Sequence, residues 1–386
     1  MLPLRIISYP HRVVSAGIEK GLVRYEQHHM RERMRKWTEY LRERGIEGMF
    51  GGMGEQTGFG GGAAYSIRPA ENQRLRFLAR GTLARYQEFD VEWAHTTSRT
   101  RFAVEGSYQW RPNENFYGLG HGSKESGHTD FALRQKWAGV HFEATLNSRL
   151  RWGAEYKVVE AQALDGQNPL TPAARDVFPT VPGLDRPVRL QSTGQYFDAD
   201  LFQGEYRWGA RSHVGASAHY GLGASNLRYF TYEIRAEGRM PVVAGQSALV
   251  GQANVELNRE RGGSDPIPFF LQPRVGGSST LRGFALDRFY GKNVLLGTVE
   301  YRYRLHPNLQ AAIFYDEGQI FDRTADLTWL NWHRNYGIGF RVHANESTVM
   351  RIEYGVGREG HRIHIAFGDR LPRPLGGAIR YGTYRD

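Results

Sequence analysis

From Thr57 onward, apolar and polar residues alternate with a period of two in one segment after another. In residues 149 to 158, Leu150, Trp152, Ala154, Tyr156 and Val158 share one face of an extended chain, and Arg149, Arg151, Gly153, Glu155 and Lys157 share the other. Phe102, Val104, Tyr108 and Trp110 oppose Arg101, Glu105, Ser107 and Gln109 in the same way, and Leu249, Ala253, Val255 and Leu257 oppose Gln252, Asn254, Glu256 and Asn258. Toward the end, Leu295, Val299, Tyr301 and Tyr303 oppose Thr298, Glu300, Arg302 and Arg304, Tyr336, Ile338, Phe340 and Val342 oppose Gly337, Gly339, Arg341 and His343, and Ile363, Ile365 and Phe367 oppose Arg362, His364 and Ala366. Each run lasts about ten residues, longer than the roughly five or six of a soluble sandwich strand and enough, at a tilt of about 45°, to cross a bilayer.

Which face meets water follows from the charges. Arg149, Arg151, Glu155, Glu300, Arg302, Arg304 and Arg341 make the polar face too ionised for a dry core, so it is expected to line a wet lumen and the apolar face to meet lipid. Trp110, Trp152, Tyr303, Tyr336 and Phe367 recur near strand ends, where an interfacial girdle needs aromatic rings. A closed barrel pairs every backbone N–H and C=O, as hydrocarbon demands. The expected fold class is therefore an all-β membrane protein, a 16-stranded antiparallel transmembrane β-barrel preceded by an N-terminal amphipathic helix. Residues 1–56 form the helix segment and residues 57–386 the barrel. Fifteen strands can be marked between 57 and 368, and an even number is needed if both chain ends lie on one side. The missing strand is placed within 187–222; if 72–97 were a single strand, the count would be fourteen.

Ahead of the strands, Val14, Ile18, Leu22, Tyr25, Met30, Met34, Trp37 and Leu41 fall at helical spacing between residue 13 and about 44, and Gly45 ends the run. The opposite face is basic, with Lys20, Arg24, Arg31, Arg33, Arg35, Lys36, Arg42 and Arg44 among acidic residues. Such a helix lies on a membrane, plugs a pore, or packs on its own domain. No apolar run reaches the roughly 18 residues of a membrane-spanning helix. The chain has no cysteine, which excludes disulfides, Cys-ligated zinc, iron–sulfur clusters and thiol nucleophiles. The opening Met1-Leu2-Pro3-Leu4-Arg5 is not the start of a secretory signal, which leaves a cytosolic protein or a processed form.

Fifty Lys and Arg against 40 Asp and Glu give a net charge of +10, but the basic residues are interspersed with acidic ones on alternating faces. That argues against nucleic acid and for anionic lipid or lipopolysaccharide. His361 and His364 are three apart on a strand and point to opposite faces, so they cannot share a metal; His28 and His29 diverge on a helix. The glycine string from Gly58 to Gly62 leads into a strand and not a helix, which argues against a phosphate loop. No cofactor or metal is expected, and no Ser/His/Asp set with meaningful spacing is present.

The segment from Phe269 to Phe321 carries a family resemblance. Phe269-Phe270-Leu271 and Val275-Gly276-Gly277 are followed by Leu281-Arg282-Gly283-Phe284, then Glu300-Tyr301-Arg302 and Phe314-Tyr315-Asp316-Glu317-Gly318. In order and spacing this resembles the bacterial surface antigen family, the BamA/TamA superfamily of outer-membrane barrels. Asn115-Phe116-Tyr117-Gly118-Leu119-Gly120 is similar to the family's loop after an early hairpin, and Tyr336 to Arg341 to its third-last strand. The resemblance implies that a long sixth extracellular loop, here 261–292, folds back into the lumen with Arg282 at its tip. That arginine then meets an acidic group on the inner wall. Asp316 fits by parity, because Leu309, Ala311, Ile313 and Tyr315 take the outer face of their strand. Gly283 and Phe284 belong to the same latch, supported by Gly276, Gly277, Leu281, Phe314 and Gly318.

Gly360, Ile363 and Ile365 resemble the terminal-strand signal of barrels delivered to the assembly machinery, although plain strand alternation accounts for part of that likeness. Gly58 and Gly60 are expected to weaken the seam between first and last strands, since glycine packs nothing. Two departures from the family stand out. The chain runs on from Asp369 to Asp386 where most members stop at an aromatic residue, and residues 1–56 are too short for a periplasmic POTRA module. Three functions compete: a translocase or insertase passing polypeptide or lipid through lumen and seam, a passive porin-like channel, and a hydrolase. The resemblance favours the first, with client polypeptides as partners; pairing of barrels through their apolar outsides stays open.

Overall fold

The computed structural model describes residues 39–202, 206–263, 265–344 and 347–367. Most of the expected helix, and the segment from Asp369 on, lie outside the described residues. Residues 39–43 are helical, and Gly45 ends the turn at φ +75°. Its N–H donates to the Arg42 carbonyl at 2.9 Å, and a Cβ there would stand 2.0 Å from the Ser66 carbonyl oxygen, so only glycine lets the chain turn into the first strand.

Among the described residues, sixteen antiparallel strands form one sheet in chain order. They are β1 (Ile46–Phe50), β2 (Gly60–Ile67), β3 (Gln73–Thr82), β4 (Gln87–Thr96), β5 (Thr100–Phe116), β6 (Thr129–Thr145), β7 (Leu150–Asp165), β8 (Val188–Asp200), β9 (Gly209–Gly221), β10 (Arg228–Val243), β11 (Ser247–Glu260), β14 (Asn293–His306), β15 (Leu309–Phe321), β16 (His333–Ala344), β17 (Ser347–Gly357) and β18 (Gly360–Phe367). The two missing numbers belong to a hairpin inside the 261–292 loop, β12 (Arg274–Val275) and β13 (Phe289–Tyr290).

The count of sixteen is reached differently from the expectation. Residues 187–222 hold two strands, as marked, and 72–97 holds two as well. The unmarked strand is β1, inside the segment assigned to the helix. It has five residues around Gly48 and shows no alternation, so periodicity could not find it. This moves the seam. Gly58 precedes β2 and Gly60 opens it opposite Thr82 of β3, so neither is on an edge strand, as the sequence reading required; the edges are β1 and β18, the latter carrying Gly360, Ile363 and Ile365. Among the described residues no ladder joins β1 to β18.

Polarity is inverted relative to a water-soluble fold. Ile313 is 58% and Ile363 67% exposed, while Glu300 and Arg341 are each 1% exposed. Ionised groups inside and aliphatic groups outside are stable only where the outside is hydrocarbon. Among the described residues no helix is long and apolar enough to cross a membrane, so any crossing falls to the strands. The two ends also differ: one carries long connections such as 117–128, 166–187 and 261–292, and the other short turns such as 97–99, 146–149 and 307–308. Trp152 and Tyr303 lie toward the short-turn end, and Trp110 and Tyr336 toward the long-loop end.

Candidate functional site

The register of the last five strands lays inward-facing residues in rows. Thr298, Asp316, Asn335 and Gly357 stand abreast across β14–β17, followed by Glu300, Phe314, Gly337 and Gly355, then by Arg302, Ala312, Gly339, Glu353 and His364. Glycine and alanine in these rows leave a hollow in a wall otherwise studded with charges. The 261–292 loop fills it.

The loop is held in two places. Its first part brings Ile267, Phe269 and Phe270 into an apolar cluster with Phe116, Phe131 and Leu133 from β5 and β6. Arg274 pairs with Glu114 at 3.0 Å, and Tyr290 Oη donates to the Asn115 carbonyl at 2.8 Å. Beyond β12, Gly276 (φ +127°) and Gly277 (φ +88°) turn the chain, and the Gly276 N–H donates to Thr280 Oγ1 at 2.7 Å. Val275, Leu281, Phe284 and Phe289 then pack with Val294, Leu296 and Ile320 of the wall. Gly318 lies against this cluster, where a Cβ would stand 3.2 Å from Leu296 Cδ1 and 3.4 Å from Leu281 Cδ2.

Arg282 lies at the tip and is fully buried. Its Nε and Nη2 donate to the two oxygens of Asp316 at 2.9 and 2.7 Å, a bidentate fork, and Nη1 donates to Glu300 at 2.6 Å and Glu353 at 2.9 Å. The guanidinium plane sits 3.3 Å from the ring centroid of Phe314. Asp316 also accepts from Thr298 Oγ1 at 2.9 Å and Asn335 Nδ2 at 2.8 Å. Arg302 and Arg341 complete Glu300, and Arg351 completes Glu353. The backbone fits as closely. A Cβ at Gly283 would lie 2.5 Å from Asn335 Cβ, and one at Gly355 would lie 2.6 Å from the Arg282 carbonyl oxygen. A second buried arginine, Arg288, bridges Glu359 of the β17–β18 turn at 2.8 Å and the Ser123 carbonyl at 2.8 Å.

Arg282, Gly283, Phe284 and Asp316 are thus brought together, with Gly276, Gly277, Leu281, Phe314 and Gly318 around them. Gly58 and Gly60 are not part of this cluster. Strand parity points to one acid, Asp316, and the structure supplies three. Glu353 was within reach of the same parity argument, because Ile352 and Tyr354 face outward. Arg288, and Glu55 against the loop, carried no signal in the sequence. His361 is exposed and His364 buried, as strand parity requires, and among the described residues no group of acidic residues and histidines is arranged to hold a metal.

On the β5–β10 wall, inward side chains surround a cavity of about 30 Å³ lined by Glu105, His141, Glu155, Lys157, Tyr196 and Glu233 among others. That volume has room for a water molecule or two. Lys157 pairs with Glu155 at 3.0 Å, and the Tyr196 hydroxyl lies 2.8 Å from His141 Nε2. Arg151 also faces inward, whereas Arg149 and Arg304 stand exposed at the short-turn end.

An inside-out sixteen-stranded sheet wrapped round an inserted loop defines the class: a bacterial outer-membrane β-barrel. The chain belongs to the Omp85 superfamily, whose domain matches residues 52–369. No curated protein matches the sequence. Among solved structures it is similar to BamA from Haemophilus ducreyi lacking POTRA domains 1-3, at 10% identity and a TM-score of 0.61, covering 84% of this chain and 68% of that one. It is also similar to CdiB from Acinetobacter baumannii, at 12% identity and a TM-score of 0.51, covering 84% of this chain and 59% of that one. The chain therefore spans about two thirds of the first relative and three fifths of the second. The protein is a non-enzymatic member of a superfamily of outer-membrane insertion and translocation barrels.

Proposed function

We propose that this barrel assists the insertion or transport of polypeptide at the outer membrane, admitting its client through the seam between β1 and β18. The seam carries the reading. The wall is 16 or 17 residues tall at β5, β6 and β7, but among the described residues five at β1 and eight at β18. A tilted strand needs about 9–11 residues to cross the hydrocarbon, so lipid beside the edges must thin or the edges must find another strand. An unpaired strand edge is a template for a client strand. The docked loop argues against a passive pore. Arg282 acts here as a latch that keeps the loop in place, and the partners are outer-membrane lipid, lipopolysaccharide included, and unfolded clients.

The test is the folding rate of a urea-unfolded barrel protein in liposomes with and without this protein, run beside a solute-release control. Faster folding without leakage is expected. Unchanged folding with leakage would replace the proposal with a channel, and neither effect would turn attention to lipid as the cargo.

A further inference from the structure

The connection between β1 and β2 folds inward at the long-loop end and presents Glu55 to two other parts of the molecule. Its Oε1 lies 2.8 Å from His364 Nδ1 on β18, and its Oε2 accepts from the Ser278 N–H of the latch loop at 2.7 Å. The other ring nitrogen of His364, Nε2, lies 2.8 Å from the Arg282 carbonyl oxygen. A carbonyl and a carboxylate both accept, so the two contacts together call for a proton on each ring nitrogen, which no neutral side chain of that shape provides. One imidazole thus joins the first hairpin, the last strand and the loop tip.

The turn that carries Glu55 is built for the purpose. Met53 N–H donates to Thr57 Oγ1 at 2.8 Å, and Thr57 Oγ1 donates to the Gly54 carbonyl at 2.9 Å. Gln56 is held at φ +60°, a left-handed conformation uncommon for a residue with a side chain, and its Oε1 accepts from Asn115 Nδ2 at 3.0 Å. On the loop side, a Cβ at Gly277 would stand 2.8 Å from Glu55 Oε2.

We propose that Glu55 and His364 form a clasp that couples the β1–β18 seam to the loop latch. Drawing β18 away from the first hairpin breaks the carboxylate–imidazole contact and in the same movement strips the hydrogen bond from the Arg282 carbonyl. Opening the seam therefore loosens the loop, and docking the loop holds the seam shut. Both residues act by positioning others. The inference rests on the seam reading above, but its test reads the loop and not the client.

Because the chain has no cysteine, Ser279→Cys gives a single reporter on the loop, and its labelling by a water-soluble maleimide can be followed in liposomes holding the full chain. Glu55→Ala and His364→Ala should each speed labelling at least tenfold, and the double variant should be no faster than either alone. His364→Asn keeps a donor near the δ position and His364→Gln one near the ε position; each retains half of the relay, and both should label fast. Heat-modifiable gel migration checks folding, and Glu55→Gln replaces Glu55→Ala if the latter does not fold. Unchanged labelling in the Glu55 and His364 variants, or rate increases that multiply in the double variant, would overturn the clasp. Unchanged labelling leaves the insertase reading intact, and a failed insertase assay leaves the clasp intact.

Discussion

On the β14–β18 wall, Asp316, Glu300 and Glu353 all converge on Arg282, and Arg302, Arg341 and Arg351 take up the oxygens that remain. On the β5–β10 wall, Glu105 and Glu155 each leave a buried carboxylate oxygen without a hydrogen-bond partner among the described residues, facing the cavity of about 30 Å³. Both walls carry acids and bases at inward positions of long strands. What separates them is the hollow. Gly355 and Gly357 let a loop backbone sit against the first wall and exclude water, and a desolvated arginine fork then holds the loop in one place. The cavity on the second wall is lined by strand residues alone among the described residues, and its charges are suited to hydration. Charge on a barrel wall becomes a binding site only where shape removes the solvent.

The largest effect should come from breaking the fork. Arg282→Ala strips three buried carboxylates of the cation they share and Asp316→Ala strips the fork of both its acceptor oxygens, and each should weaken loop docking by about 3–5 kcal/mol, seen as increased ion conductance in planar bilayers. Unchanged conductance in both variants would sink the latch. Arg282→Lys keeps the charge without the planar fork and should fall between wild type and Arg282→Ala. Next is shape. Gly355→Ala places a methyl against the Arg282 carbonyl and should cost about 1–3 kcal/mol, with conductance raised in the same direction although every charge is kept. If Gly355→Ala behaved as wild type, the hollow would not be the deciding feature.

The pH dependence is smaller. Burial would raise the Glu55 carboxyl, but its hydrogen bond and charge interaction with His364, together with the Ser278 N–H, hold it below its ordinary value. A depressed carboxyl contributes stability above its unfolded pKa of about 4.3 and loses it as pH falls through the lower folded value. The labelling rate at Ser279→Cys, divided by that of a free thiol at the same pH, should therefore be flat from pH 7 to about 5 and rise in stronger acid, and Glu55→Gln should flatten that rise. Smallest of all, Glu105→Gln on the open wall should move the urea midpoint by the equivalent of less than about 1 kcal/mol. A loss as large as that of Asp316→Ala would erase the contrast between the walls.

The alternation at residues 149–158, 295–304 and 336–343 fixed which side chains face lipid and which face the lumen, because a strand's period of two allows one answer once one face is ionised. Parity also placed Asp316, and the same count on β17 reaches Glu353. Three things were invisible to it. β1 is too short to show a period, so the true edge of the sheet, and with it the seam, could not be located. The convergence of Glu300, Asp316 and Glu353 on one guanidinium depends on the stagger between strands, which no single strand encodes. The Glu55–His364 contact joins residues 309 positions apart, and only the curvature of the whole sheet brings those ends together. Local chemistry therefore determined the faces of this protein, and the three-dimensional packing of strands and loop decided which of its charges meet.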